Sequence, residues 1–128
     1  KGRDLNPAIT NELTSNVDIF KSIIKCAGYE YKNTNLDSNL PIVLGGNIEN
    51  KYIVSESIHP NSLYESVLRD NNNKFYFKTN NVIKNGKINK NDYSFSLVDI
   101  NYNQIKNIDL ETKYLKIVLN QIDHFNNQ

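Results

Sequence analysis

The sequence predicts a single α+β domain over residues 1–128, in which one N-terminal amphipathic helix packs on an antiparallel β-sheet. Three observations lead to this fold class. A chain of 128 residues has the size of one domain. Apolar residues recur at convincing helical spacing only near the N-terminus. The rest of the chain consists of short strand-like runs separated by turn residues, which is typical of an antiparallel sheet.

The helix is predicted over about residues 7–27. Asn6 is a favoured N-cap, and Pro7 fits the first helical position because its missing N–H needs no partner there. Gly28 suits a left-handed C-terminal cap. The side chains expected to pack on the sheet recur every three or four positions and are Leu13, Val17, Phe20, Ile24 and Ala27.

The predicted helix carries a second apolar flank beside this stripe, formed by Ile19, Ile23 and Cys26. The combined apolar arc covers about half of the circumference, which is more than one packing partner requires. A single curved sheet that wraps the helix is the interpretation the pattern favours. The alternative is that this flank is an intersubunit face, which contacts a partner outside the domain.

Residues 28–50 are predicted to be mainly loop, and residues 51–122 are predicted to form the sheet, with about six strands. Short strand-like runs occupy residues 51–54, 62–68, 74–78 and 81–84. A turn is expected at Asp70-Asn71-Asn72-Asn73. Asn85-Gly86 is a strong hairpin signal, because both residue types tolerate positive φ.

The C-terminal third of the chain is predicted to contain the closing strands. Tyr93, Phe95 and Leu97 alternate on one face, and Val98 continues the apolar pattern in the opposite phase. Such a phase shift predicts a bulge or a sharp bend near Leu97-Val98. Residues 114–119 are apolar on both faces except at Lys116, which predicts a central strand.

Composition excludes several classes of protein. A net charge of +1 argues against a strongly basic nucleic-acid binder. One cysteine excludes an internal disulfide framework and a zinc site built on cysteines. No apolar run is long enough to span a bilayer, which takes about 20 residues. Because the chain has no Met, we expect it to begin downstream of a cleaved or truncated segment, which could have carried an anchor.

No catalytic constellation can be assembled from the sequence, so we expect a protein that is not an enzyme and that has no cofactor and no metal site. His59 and His124 lack any metal-ligand spacing, and Cys26 is expected to be an inert buried thiol. Gly45-Gly46 is not a phosphate loop. In residues 74–78 a lysine flanks three aromatic residues on each side; a core strand is favoured over a nucleic-acid stacking platform.

The residues resemble a known family, the PilW-like minor pilins of type IV pili and the related GspJ-like pseudopilins of type II secretion. The helical segment ends in Ile23-Ile24-Lys25-Cys26-Ala27-Gly28-Tyr29, which is similar to the end of the family's helix, with Ile23 in place of an acidic residue. Residues 74–87 resemble the family's aromatic hairpin. Residues 97–102 and 114–119 resemble its closing strands.

The resemblance implies a pilin-like fold and a structural, non-enzymatic subunit of a pilus or secretion filament. Its partners would be other pilin subunits, and small-molecule substrates and nucleic acid are not expected. A missing N-terminal hydrophobic half-helix would anchor the precursor in the inner membrane, with the domain in the periplasm, before assembly into an extracellular filament at the bacterial surface. Many relatives carry a cysteine shortly after the Gly-Tyr pair, where this chain has Glu30, Tyr31 and Lys32.

An alternative function is open at this point: a secreted or periplasmic binding domain, such as an adhesin or an inhibitor. The two functions differ in what precedes the chain in the full gene. A pilin would have a leader and about 20 apolar residues, and a binding domain would have an ordinary signal peptide or a lipoprotein cysteine.

Overall fold

The computed structural model of the chain describes residues 13–14, 16–29 and 51–128. The chain divides into two compact units, residues 1–53 and residues 54–128, and each is described by itself. The elements in chain order are α1 (Asn16–Cys26), β1 (Ile53–Ser57), β2 (Leu63–Arg69), β3 (Asn73–Val82), β4 (Tyr93–Asp99) and α2 (Ile108–Asn126). The predicted α+β class is confirmed.

Helix α1 lies within the range predicted for the N-terminal helix. The predicted start at Asn6-Pro7 lies outside the described residues, as does most of the predicted loop region. The helix ends as predicted, because Gly28 adopts a φ of +86°. The Gly28 N–H donates to the Lys25 carbonyl at 3.0 Å and the Tyr29 N–H to the Ile24 carbonyl at 3.1 Å, a pair of bonds that closes the helix in a Schellman motif.

Within the described residues the sheet has four strands rather than the six or so predicted. Their order is β1-β2-β3-β4, so neighbours in the chain are neighbours in space. The predicted turn after β2 is confirmed: the Asp70 N–H donates to the Asn73 carbonyl at 3.1 Å. The predicted hairpin at Asn85-Gly86 is confirmed only as a tight turn, with φ values of 53° and 70°, because β3 ends at Val82 and the next strand begins at Tyr93. Both backbone bonds between Lys84 and Lys87 close it, at 3.2 and 2.9 Å.

The two faces of β3 differ as expected of a core strand. Phe75, Phe77 and Thr79 are buried, whereas Lys78 between them is exposed. The face that carries Phe75 and Phe77 is here named the inner face, and the opposite face, which carries Lys74, Tyr76 and Lys78, the outer face. The core-strand interpretation of residues 74–78 is therefore confirmed.

The predicted irregularity near Leu97-Val98 is wrong. The register of β3 with β4 is continuous from Asn73↔Asp99 to Thr79↔Tyr93. Val98 belongs to β4 and is half-buried on the outer face, so the change of apolar phase needs no bulge. The strand ends at Asp99, and in the turn that follows Tyr102 has a φ of +66°. The bulge of this sheet lies elsewhere, between Leu63 and Glu65 in β2, where Thr79 Oγ1 accepts a hydrogen bond from the Tyr64 N–H at 3.1 Å.

The predicted central strand over residues 114–119 is also wrong, because these residues belong to helix α2. Asn107 caps the helix, and its side chain accepts from the Leu110 N–H at 3.1 Å. Tyr114, Val118 and Ile122 are spaced by four residues and are all buried. An apolar run of this length does not by itself distinguish a strand from a helix, and the N-cap decides for the helix.

Helix α2 covers the inner face of the sheet and closes the core of residues 54–128. The buried cluster joins all of the long strands to the helix and contains Tyr64, Leu68, Phe75, Phe77, Ile83, Ile88, Leu97, Tyr114, Val118 and Ile122. The sequence predicts the N-terminal helix as the helix that packs on the sheet, whereas α2 takes this place in residues 54–128. The packing of α1 on the sheet stays a prediction.

Candidate functional site

Helix α1 turns apolar side chains outward. Ile19 is 54% exposed, Phe20 49% and Ile23 60%, and Ala27 just beyond the helix end is exposed as well. At about 100° per residue these four positions span an arc of about 100°. They are named the α1 apolar face, and they combine members of both flanks predicted from the sequence.

The opposite side of α1 is the more buried one. Asp18, which the helical pattern places among the polar residues, is 4% exposed. Ser22 and Lys25 on the same side are half-buried, and the Ser22 hydroxyl donates to the Asp18 carbonyl at 2.8 Å. The burial of α1 therefore does not follow its hydrophobicity, and its apolar arc is left at the surface.

The remaining predicted helix residues are distributed as follows. Leu13 is buried at 8% exposure, and Ile24 and Cys26 are half-buried. The Val17 side chain lies outside the described part of the chain. The structure thus places Ile19 and Ile23, of the predicted intersubunit face, beside Phe20 and Ala27, of the predicted sheet-packing face.

A depression of about 340 Å³ lies on the sheet, and its lining indicates the outer face. Successive side chains of a strand point to opposite faces, so six of the nine lining residues present their side chains there. The six are Glu65, Val67, Tyr76, Lys78, Ser94 and Ser96. The small serines of β4 leave room beside the Tyr76 ring, and the volume is in the range of small-ligand sites.

Charged and aromatic groups meet on the outer face. Lys78 Nζ lies 2.8 Å from Glu65 Oε1, and about half of each side chain is exposed. Lys74 Nζ lies 3.6 Å from the centroid of the Tyr102 ring. The proximity of Lys74 lowers the pKa of the exposed Tyr102 phenol, because the ammonium stabilises the phenolate. Contacts at such exposure orient side chains more than they stabilise the fold.

A polar cluster ties α2 to the turn between β2 and β3. The Tyr114 hydroxyl donates to Asp70 Oδ2, and Asp70 Oδ1 accepts from the backbone N–H groups of Asn72 and Asn73 at 2.9 and 2.7 Å. Burial alone would raise the pKa of Asp70, but these hydrogen bonds outweigh it and hold the pKa below its usual value. Burial and the Asp70 carboxylate raise the pKa of Tyr114 to about 12. The cluster fixes a turn and offers no reacting group.

The histidines and acidic residues in the described part of the chain form no metal-binding group. The His124 ring lies 3.0 Å from the Gln128 side-chain nitrogen. Within residues 13–14, 16–29 and 51–128, no group of three or more His, Cys, Asp or Glu side chains is placed to hold a metal ion. No helix in the described part of the chain is long and apolar enough to cross a bilayer.

Sequence reasoning missed the outer-face depression. Its signal was present in the period-2 alternation of β4, where Ser94 and Ser96 stand opposite Lys78 and Tyr76. Comparison of the chain with models of known protein families, with curated proteins and with solved structures gives no match. What the chain does is therefore inferred from its own surfaces.

Proposed function

We propose that the chain is a non-enzymatic assembly subunit of the minor pilin or pseudopilin kind, in which the α1 apolar face contacts neighbouring subunits of a pilus or secretion filament. The observation that carries this proposal is the exposure of Ile19, Phe20 and Ile23 on one side of a single helix. Contiguous exposed apolar surface is typical of a protein contact.

The α1 apolar face is wide enough to pack against one partner helix or one pair of strands. An arc of about 100° is what a surface helix presents to one packing partner. The unit of residues 54–128 closes its own core with α2. The α1 apolar face is then the natural contact surface for another subunit.

Of the segments on which the resemblance to pilins rests, one has a different secondary structure from the one expected. Residues 114–119 form part of α2, so they do not match a closing strand. The helix end at Ala27-Gly28-Tyr29 and the aromatic strand β3, followed by the turn at Asn85-Gly86, carry the resemblance instead. In this proposal an apolar segment outside the chain anchors the precursor in the inner membrane, and the domain faces the periplasm until it joins the filament.

The test replaces Ile19 or Ile23 by Asp in the full-length protein of the producing bacterium. Filaments sheared from the cells are probed for the subunit, and the folding of the purified variants is checked by thermal melting. We expect both variants to fold and to be lost from the filament fraction. Thr14→Asp, at an exposed polar residue, is the matched control and should be retained.

Two results would overturn the proposal. One is a filament fraction that lacks the wild-type subunit. The other is incorporation of Ile19→Asp and Ile23→Asp at the wild-type level, which would show that the α1 apolar face makes no contact there.

A second candidate function, a secreted or periplasmic binding domain such as an adhesin, is favoured by the outer-face depression. The Tyr76 ring offers an apolar plane, and Ser94, Ser96, Glu65 and Lys78 offer donors and acceptors beside it. A saccharide has this mixture of an apolar C–H face and hydroxyls. Calorimetric titration with simple hexoses and disaccharides tests it: Tyr76→Ala should abolish any heat of binding, whereas no heat with the wild-type protein rejects this candidate for these sugars.

A further inference from the structure

The outer edge of strand β4, the edge that does not face β3, is divided into two halves. Its C-terminal half is covered by the chain itself: the Ile105 N–H donates to the Leu97 carbonyl and the Asp99 N–H to the Asn103 carbonyl, both at 2.9 Å. Its N-terminal half runs from Tyr93 to Ser96. Within the described part of the chain the sheet ends at β4, and no segment pairs with this half.

The open half presents backbone groups in a known direction. Leu97 and Asp99 direct their bonding groups toward the outer edge, since they bond to Ile105 and Asn103. Backbone direction alternates along a strand, so Tyr93 and Phe95 point the same way as Leu97. The N–H and C=O groups of Tyr93 and Phe95 therefore face outward.

This edge lacks the devices that normally keep strand edges apart. Native proteins protect such edges with charged residues, proline or bulges. The stretch Tyr93-Ser94-Phe95-Ser96 contains no charge and no proline, and the register with β3 is free of bulges. Phe95 is 41% exposed although its ring stacks on Phe75 at 5.4 Å. An unprotected edge with an exposed aromatic side chain predicts that another strand adds to it.

We propose that this strand is β4 of a second copy of the chain, so that two sheets join edge to edge in an antiparallel dimer with Ser94 at its twofold axis. An antiparallel pairing of identical strands is self-complementary, as a twofold interface requires. In this register Tyr93 of each copy faces Phe95 of the other. Each of these pairs exchanges two backbone hydrogen bonds, and the two pairs use all the outward groups of the open half.

The register between the two β4 strands follows from which backbone N–H and C=O groups on the open half have no partner within the described residues. An axis at Phe95 would place Tyr93 opposite Leu97, whose carbonyl already accepts from Ile105. An axis at Ser94 uses only the outward backbone N–H and C=O groups of Tyr93 and Phe95. On the inner face it sets Phe95 against Tyr93 of the second copy, and aromatic cross-strand pairs are stabilising. On the outer face the two small Ser94 side chains meet at the axis, and Ser96 of each copy stands opposite Asp92 of the other, which brings no like charges together. A net charge of +1 per chain gives little overall repulsion.

This inference does not rest on the proposed filament function, since it concerns a different surface. The test is sedimentation equilibrium of the full chain across micromolar to millimolar concentrations. We expect a monomer–dimer equilibrium that Ser94→Glu weakens roughly tenfold or more, because two carboxylates then face each other across the axis. In the monomer Glu at this position stands opposite Lys78, so the fold should tolerate it. Ser55→Glu, at an exposed serine of β1, is the matched control and should leave the equilibrium unchanged.

A second measurement fixes the register. With Cys26 replaced by Ser, Ser94→Cys should form a covalent dimer under mild oxidation, since directly opposed residues in a non-hydrogen-bonded pair lie about 4.5 Å apart between Cα atoms, within the range of a disulfide. Ser55→Cys in the same Cys26→Ser background should not form a covalent dimer. A chain that stays monomeric at all concentrations, or equal cross-linking of the two cysteine variants, would overturn the proposal. Binding of added extended peptides by a monomeric chain would equally reject the second copy as the occupant.

Discussion

The two helices in the described part of the chain have similar patterns and opposite surroundings. Helix α2 places Tyr114, Val118 and Ile122 against the sheet, where each is almost fully buried. Helix α1 leaves Ile19 and Ile23 more than half exposed. Amphipathic periodicity therefore says which side of a helix is able to pack, but it does not say whether the partner lies in the same chain. The difference marks α2 as a structural helix and α1 as a candidate contact helix.

The sharpest test of this comparison is the same substitution on each helix, beginning with the larger effect. Ile122→Ala in α2 should destabilise the fold by about 2–5 kcal/mol, because it removes a side chain with no exposed surface and leaves a cavity. Urea unfolding followed by circular dichroism measures the loss. A cost below about 1 kcal/mol would mean that α2 packs loosely on the sheet.

A second prediction concerns the hydrogen bonds of a buried hydroxyl group on the inner face of the sheet. Thr79 is fully buried and its hydroxyl serves two partners: it accepts from the Tyr64 N–H and donates to the Asn81 carbonyl at 3.0 Å. Thr79→Val keeps the shape and removes both bonds, so the free energy of unfolding should fall by about 1–3 kcal/mol. Thr112→Val, on the exposed side of α2, is the control and should change little.

A third prediction tests the polar tie between α2 and the β2–β3 turn by its pH dependence. Asp70 has a lowered pKa in the folded protein, so its contribution is present above the ordinary pKa of about 4 and is lost as pH falls through the folded value. Asp70→Asn should cost about 1 kcal/mol at pH 7, and the gap to wild type should shrink on acidification. Urea midpoints at pH 7 and pH 3 measure it; a constant gap would contradict the assignment.

The smallest expected effect completes the comparison. Ile23→Ala in α1 should change the stability by no more than about 0.5 kcal/mol, since the side chain is 60% exposed. The same urea unfolding applies. A loss comparable to that of Ile122→Ala would show that the α1 apolar face is part of the core, and the contrast between the helices would disappear.

Features encoded by a few neighbouring residues were predictable from the sequence. The left-handed cap at Gly28, the turn at Asn85-Gly86 and the alternation of Phe75 and Phe77 all depend on local backbone preference or on strand periodicity. These interactions need no knowledge of the rest of the chain, so the sequence specifies them directly.

Features decided by tertiary packing were not predictable in the same way. Residues 114–119 are apolar on both faces, so only the Asn107 cap and the spacing of Tyr114, Val118 and Ile122 distinguish a helix from a strand. The outward orientation of Ile19, Phe20 and Ile23 depends on what the other side of α1 contacts, which local patterning does not encode. The depression on the outer face arises from the lateral register of three strands, a long-range property.

The order of elements along the chain has a consequence for how the protein is made. The sheet precedes α2 in the sequence, so the ribosome delivers Phe75, Phe77 and Leu97 before the helix that covers them. At roughly 5–20 residues per second, the sheet waits on the order of seconds for its cover. During that interval its inner face and the unprotected edge of β4 are both open in the nascent chain. The core of this unit is therefore completed only after α2 has been synthesised.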